Sequence, residues 1–301
     1  MPKSKIELLK SLTLTDFPSG SSINYRHEKL YLMGDDSNNI LILDKDYQKL
    51  DSKQLFDYPE SRIPKLLKAD LEASAIVTLN GHDHLLIMGS ASTKQREKVF
   101  ILPFSESGLD VPHFRVINAE VFSNRIRANG MDPLNLEGVT VFGRNLILSN
   151  RGNRINNTNH LIITENDFWD RQGDASLTII PLQIPTVNDE VPGVSELCHV
   201  EANDTLLITF SSELTDNAYD DGAIGDSYIG LIDNFSRKLQ NHPLMVDQII
   251  NLSDIHGDFK NVKIEGICVE QAKRNALILH LISDNDQGES KLFKVKMINH
   301  A

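Results

Sequence analysis

The chain has 301 residues, 40% of them apolar and 24% charged, with 42 acidic against 30 basic side chains and a formal net charge of −12. This length supports a large core and this composition is that of an ordinary globular protein, while the acidic balance excludes a broad basic face for nucleic acid. No run of apolar residues is long enough to span a bilayer, so no membrane partner is expected.

The N-terminus has no apolar core of a secretion signal, so a cytoplasmic location is expected unless a leader has been removed. A monomer is expected. Residues 6–14 read as a β-strand or, alternatively, a short amphipathic helix. Five units of similar design follow. The first has apolar, β-rich runs at 21–25, 29–34 and 40–43, and the second at 71–77, 84–89 and 99–104. The third runs at 136–141, 145–150, 160–164 and 176–182, and the fourth at 195–200, 205–210, 228–233 and 248–252. A fourth run follows in four of the units, for instance at 176–182 and 248–252, whereas the fifth, at 264–269, 276–281 and 291–295, has only three. Short strands separated by Gly, Asn and Asp turns predict antiparallel structure. A unit of about 60 residues repeated five times is the signature of a β-propeller. The expected fold is therefore all-β: one five-bladed propeller domain over residues 1–301, with residues 6–14 supplying the outer strand of the last blade. Two packed sandwich domains are the alternative, but they leave the repetition unexplained.

Each unit opens on a similar element. Glu72, Glu137, Glu196 and Glu265 stand at the start of the first run in units two to five, and Ser22 (or Ser21) stands there in unit one, at steps of 50 to 69 residues. In a propeller the first strand of each blade is innermost, so five strand starts converge on one axis. Four carboxylates so placed repel one another unless some are protonated or a cation sits among them. A ring of hard oxygens suits Ca²⁺. Alternatively, the glutamates bond backbone amides between blades and hold no ion.

The loops after the second strands open at the same mouth and carry Asp35, Asp36, Arg96, Arg151 and Arg154. Arg96, Arg151 and Arg154 are candidates for holding a small anionic molecule. Asp36 and His256 are candidate bases. Cys198 and Cys268 are too few for a disulfide framework or a zinc quartet. They are expected to be buried, reduced thiols. Cys198 lies two residues after Glu196 and Cys268 three after Glu265, which predicts opposite strand faces. Trp169 is expected to pack between strands.

Serine followed by glutamates at the blade starts resembles the calcium-activated nucleotidase (apyrase) family. Residues 22–36, with a Lys-Leu-Tyr strand ending in paired aspartates, look like that family's first blade, and residues 263–267 look like its last. The Glu-Gly-apolar element is also similar to phytase-like and gluconolactonase-like propellers, and the 90–98 loop to uncharacterised bacterial ones. The resemblance implies a five-bladed propeller with Ca²⁺ in its central tunnel, held by Ser22, Glu72, Glu137, Glu196 and Glu265. Two functions are compatible with this: a binding module whose mouth takes an anionic ligand or partner, or a calcium-dependent hydrolase of a phosphorylated or lactone-type molecule.

Overall fold

The computed structural model describes residues 4–153, 155–187, 191–213, 224–285 and 288–298. They form five antiparallel sheets whose first strands pack side by side into a closed ring. Blade one is Gly20–Arg26, Lys29–Gly34, Asn39–Asp44 and Lys49–Gln54. Blade two is Leu71–Leu79, His82–Gly89, Lys98–Ser105 and Arg115–Asn118. Blade three is Leu136–Phe142, Asn145–Asn150, His160–Glu165 and Thr178–Gln183, with Leu244–Met245 added in parallel at its edge. Blade four is Gly193–Val200, Thr205–Glu213, Ile224–Asp233 and Gln248–Asn251.

Blade five closes the circle. Lys263–Lys273, Ala276–Asp284 and Ser290–Ile298 are joined by the N-terminal strand Lys5–Leu14, which pairs with the last one from Lys5↔Ile298 to Leu14↔Ser290. The first residues described are thus a strand, not a helix, and they cover an edge that would otherwise offer unpaired backbone.

The local chemistry agrees with this plan. Asn80 and Gly81 both have positive φ, +51° and +78°, the conformation that a tight hairpin with the sheet's own twist demands. The core is divided into apolar seams between neighbouring blades. Leu85, Ile87 and Phe100 meet Tyr31, Ile40 and Ile42 between blades one and two, and Phe259, Leu279 and Phe293 meet Leu207 and Ile229 between blades four and five. The connection from blade two to blade three holds the helix Glu120–Ala128, whose Phe122 and Ile126, four residues apart, bury against Phe168 and Trp169. Trp169 is therefore an inter-blade packing residue, as expected. Among the described residues no helix is long and apolar enough to cross a membrane.

One irregularity recurs in every blade. Each inner strand skips one residue in its pairing with the second strand: Ser21, Glu72, Glu137, Ser195 and Glu265. This bulge is the true register of the repeat. It corrects two ring assignments, because Ser22 and Glu196 each stand one residue past the bulge, in a second layer with Ala73, Gly138 and Gly266. It also corrects the cysteines: Cys198 and Cys268 are both three residues past their bulges, so they share a layer and line the same cavity. Both are free thiols, Cys268 buried and Cys198 half-buried.

Candidate metal and anion site

The second layer fills the tunnel. Glu196 is 1% exposed, and its Oε1 accepts hydrogen bonds from the Val139 and Leu197 amides, both at 2.9 Å. Its Oε2 accepts from Ser22 Oγ at 2.8 Å. One long side chain thus ties blade four to blades three and one. Small neighbours make room for it: a Cβ at Gly138 would fall 2.8 Å from Glu196 Cα. Burial pushes the Glu196 carboxyl well above the usual carboxylate range, against the pull of its amide and hydroxyl donors. This is the amide-bonding alternative for a ring glutamate, and Glu196 takes it.

Below Glu196 the tunnel widens into a cavity of about 740 Å³ lined by Asn24, Ser74, Thr140, Cys198 and Cys268 among others. Burial raises the Cys198 thiol to about 12 and Cys268 well above its ordinary value, so neither is activated as a nucleophile.

The bulge layer forms the opposite, charged mouth. Glu137 Oε1 accepts from Asn135 Nδ2 at 2.6 Å, and Arg151 Nη1 lies 3.6 Å from Glu137 Oε2. Arg151, 9% exposed, also donates to Ser195 and Ser211 at 3.4 and 3.0 Å, so it reaches into the ring. Lys263 Nζ stands 2.9 Å from Glu265 Oε1. Glu72 belongs to a different group. Its carboxylate, with those of Asp35 and Asp70, offers oxygens that all lie within 4.8 Å of one another. Asp35 follows the second strand of blade one, and Asp70 precedes the inner strand of blade two at φ +56°, a conformation that aspartate tolerates better than most side chains. The Leu71 amide donates to Asp35 O at 3.3 Å and the Ser90 amide to Asp70 O at 2.9 Å, which fixes both loops to the strand start.

The electrostatics of this trio are crowded. Burial, then the neighbouring Asp70, Glu137 and Asp35, drive the Glu72 carboxyl well above its usual range. Burial raises Asp35 to about 6, opposed by Lys68 and reinforced by Asp36 and Asp70. Lys68 contacts Asp35 and lies 2.8 Å from Asp70 Oδ1. Arg96, 4% exposed, lies 2.7 Å from Asp70 Oδ2 and also donates to Ser92 and the Lys65 carbonyl. Arg62 holds Asp36 Oδ2 at 2.8 Å, while Asp36 Oδ1 is buried with no hydrogen-bond partner among the described residues. Beside these groups lies a cavity of about 260 Å³, lined by Asp35, Asp36, Arg62, Lys65, Lys68 and Asp284 among others.

The structure therefore brings Asp36 and Arg96 to the Glu72 cluster and Arg151 to the Glu137 side of the mouth. It does not bring His256 there. That residue is exposed, its Nδ1 accepts from the Asp258 amide at 3.2 Å, and Asp258 is bonded to Ser11 of the outermost strand. Arg154 lies outside the described residues. Lys68, Asp70 and Arg62 were not singled out from the sequence. The pattern Lys68-Ala69-Asp70-Leu71-Glu72 carried the signal, since an acid two residues before the bulge glutamate reaches the same mouth.

Among solved structures the chain is similar to Myxococcus xanthus glutaminyl cyclase, at 11% identity and TM-score 0.54, over 98% of this chain and 97% of that one. It is also similar to a luciferin-regenerating enzyme, at 9% identity and TM-score 0.48, over 99% and 98%. A virginiamycin B lyase from Staphylococcus aureus matches at 11% identity and TM-score 0.42, over 97% and 99%. At such identities the first of these likenesses speaks for the fold alone. No curated protein matches the sequence. The match that places the chain spans residues 16–297, and by it the chain belongs to the family described as "Family of unknown function (DUF6929)".

Proposed function

We propose that the charged mouth is a binding site in which a divalent cation, most simply Ca²⁺, joins a small anionic molecule to the protein. Asp35, Asp70 and Glu72 hold the cation, and Arg62, Lys65 and Lys68 face the anion in the adjoining cavity. The observation that carries this reading is the convergence of three carboxylates from two blades within 4.8 Å beside that cavity. Carboxylate oxygens are the donors that a hard divalent ion selects. The resemblance to the calcium-activated nucleotidases supports calcium over other hard ions. The ligand set differs from the expected ring: Glu72 remains, Asp35 and Asp70 join it, and Ser22 and Glu196 are committed to each other.

Binding is favoured over hydrolysis by the state of the candidate base. Asp36 is held by Arg62, and Arg96 is held by Asp70. Both pairs commit these side chains to fixing the shape of the mouth. The test is calorimetric titration of the chain with CaCl₂, then with small phosphorylated and carboxylated molecules in calcium and in chelator. Saturable calcium binding that Glu72→Gln weakens, together with calcium-dependent uptake of an anion, supports the reading. A native chain that takes up no calcium, with melting unchanged by chelator, rejects it.

A further inference from the structure

The acidic cluster already holds a cation, and it is the protein's own. Lys68 is 9% exposed, and its ammonium touches Asp35 Oδ2 and lies 2.8 Å from Asp70 Oδ1. These are two of the three carboxylates in the cluster. The third, Glu72, receives no hydrogen bond or ion pair among the described residues, although it faces the ammonium's field. The locus is thus organised for positive charge whatever supplies it.

We propose that Lys68 is an intramolecular stand-in cation, which competes with a divalent ion for Asp35 and Asp70 and so sets the ion affinity of the mouth. This rests on the reading of the mouth as a cation site. An ammonium at hydrogen-bond distance from two of these carboxylates and a divalent ion bonded to them disfavour each other, because two cations a few ångströms apart repel. Lysine suits exchange. Its charge rides on a flexible four-carbon stem, and Lys68 also lines the neighbouring cavity, where Asp36 and Asp284 are present. Arg96 is not exchangeable in this way, since Ser92 and the Lys65 carbonyl hold it as well as Asp70. An anion bound in the cavity gives the displaced ammonium a partner. Ion and anion therefore bind with positive coupling, each lowering the cost of moving Lys68.

The experiment is calorimetric titration of the full chain with CaCl₂ for the native protein, Lys68→Met, Glu72→Gln and the double variant. Removing the competitor is expected to tighten calcium binding at least about tenfold, and adding Glu72→Gln is expected to reverse most of that gain. Native and Lys68→Met chains that bind calcium equally, with Glu72→Gln still weaker, overturn the role of Lys68 and leave the site reading standing. Absence of calcium binding in both rejects the two together. A Lys68→Met chain that unfolds in chelator is read by circular dichroism: refolding on calcium addition supports the exchange, and failure to refold overturns it.

Discussion

Glu196 and Ser22 lie 174 residues apart in the chain and 2.8 Å apart in the fold, where the hydroxyl of blade one donates to the carboxylate of blade four. Ser22 Oγ also lies 2.5 Å from Ser74 Oγ, so the contact continues into blade two. With the Val139 and Leu197 amides on the other oxygen, one side chain fastens four blades at their common axis. A propeller is otherwise held by seams between neighbours. An axial pin also couples blades that are not neighbours in the ring.

Glu196→Ala should therefore cost more than a surface truncation. It leaves two buried amides without their acceptor and takes one of two partners from the Ser22 hydroxyl, which amounts to about 2–4 kcal/mol. Glu196→Gln keeps the length and one carbonyl oxygen, and the Ser22 hydroxyl can turn to accept from the new amide, so about 1 kcal/mol is expected. Urea denaturation of both variants checks the order. Equal losses would mean that the side chain only fills space.

Gly138 tests the same layer from the other side. A methyl group there meets Glu196 Cα and Leu197 N, each at 2.8 Å, and backbone atoms cannot step aside as a flexible side chain can. Gly138→Ala should destabilise by about 2 kcal/mol or more. At Gly173, where an added Cβ meets nothing within 4 Å, the same substitution should be nearly neutral. Paired thermal melts of the two variants decide this.

The five-unit repeat, its strand runs and the closure by the N-terminal strand were legible in the sequence because turn residues and apolar runs punctuate it at every blade. The layer of each acid was not. A bulge adds one backbone residue without any obligatory side chain, and alignment by acid placed Glu196 with Glu137 although Ser195 is the equivalent position. A slip of one residue reverses which way every following side chain faces, and the same slip put Cys198 and Cys268 on opposite faces when they share one. The Lys68–Asp70 part of the mouth was hidden for another reason. It belongs to the aperiodic connection between blades one and two, whose path no hydrophobic period announces. Asp36 and Arg96 could be placed at the mouth from their loops, but not their pairing with Arg62 and Asp70.

Deleting residues 1–14 should unfold or aggregate the protein. The last strand, Ser290–Ile298, would lose the outer of its two partners along its whole length and become an open edge, and Ile6 would leave the seam between blades four and five. Size-exclusion chromatography and circular dichroism of the truncated chain report this directly. A folded, monomeric product would show that the closure is dispensable.

His280 predicts an acid limb of stability. It is fully buried in blade five, with Nδ1 3.0 Å from the Tyr47 hydroxyl and Nε2 2.9 Å from Glu270. Burial lowers its pKa to about 4, opposed by the Glu270 carboxylate, whose other partner is Lys294 at 2.6 Å. The ordinary value is 6.5. Between those two values the unfolded chain binds a proton that the folded chain refuses, so stability is full above pH 6.5 and falls as the pH drops toward 4. The loss amounts to about 3 kcal/mol from this group. Asp35, raised to about 6, acts in the opposite sense, since its folded form keeps a proton that the unfolded carboxyl gives up above 3.8. The two are separated by difference. Urea midpoints of the native chain and of His280→Gln, measured from pH 4 to 8, should converge as the pH falls, because the variant has no imidazole to protonate. Parallel curves would place the acid sensitivity elsewhere.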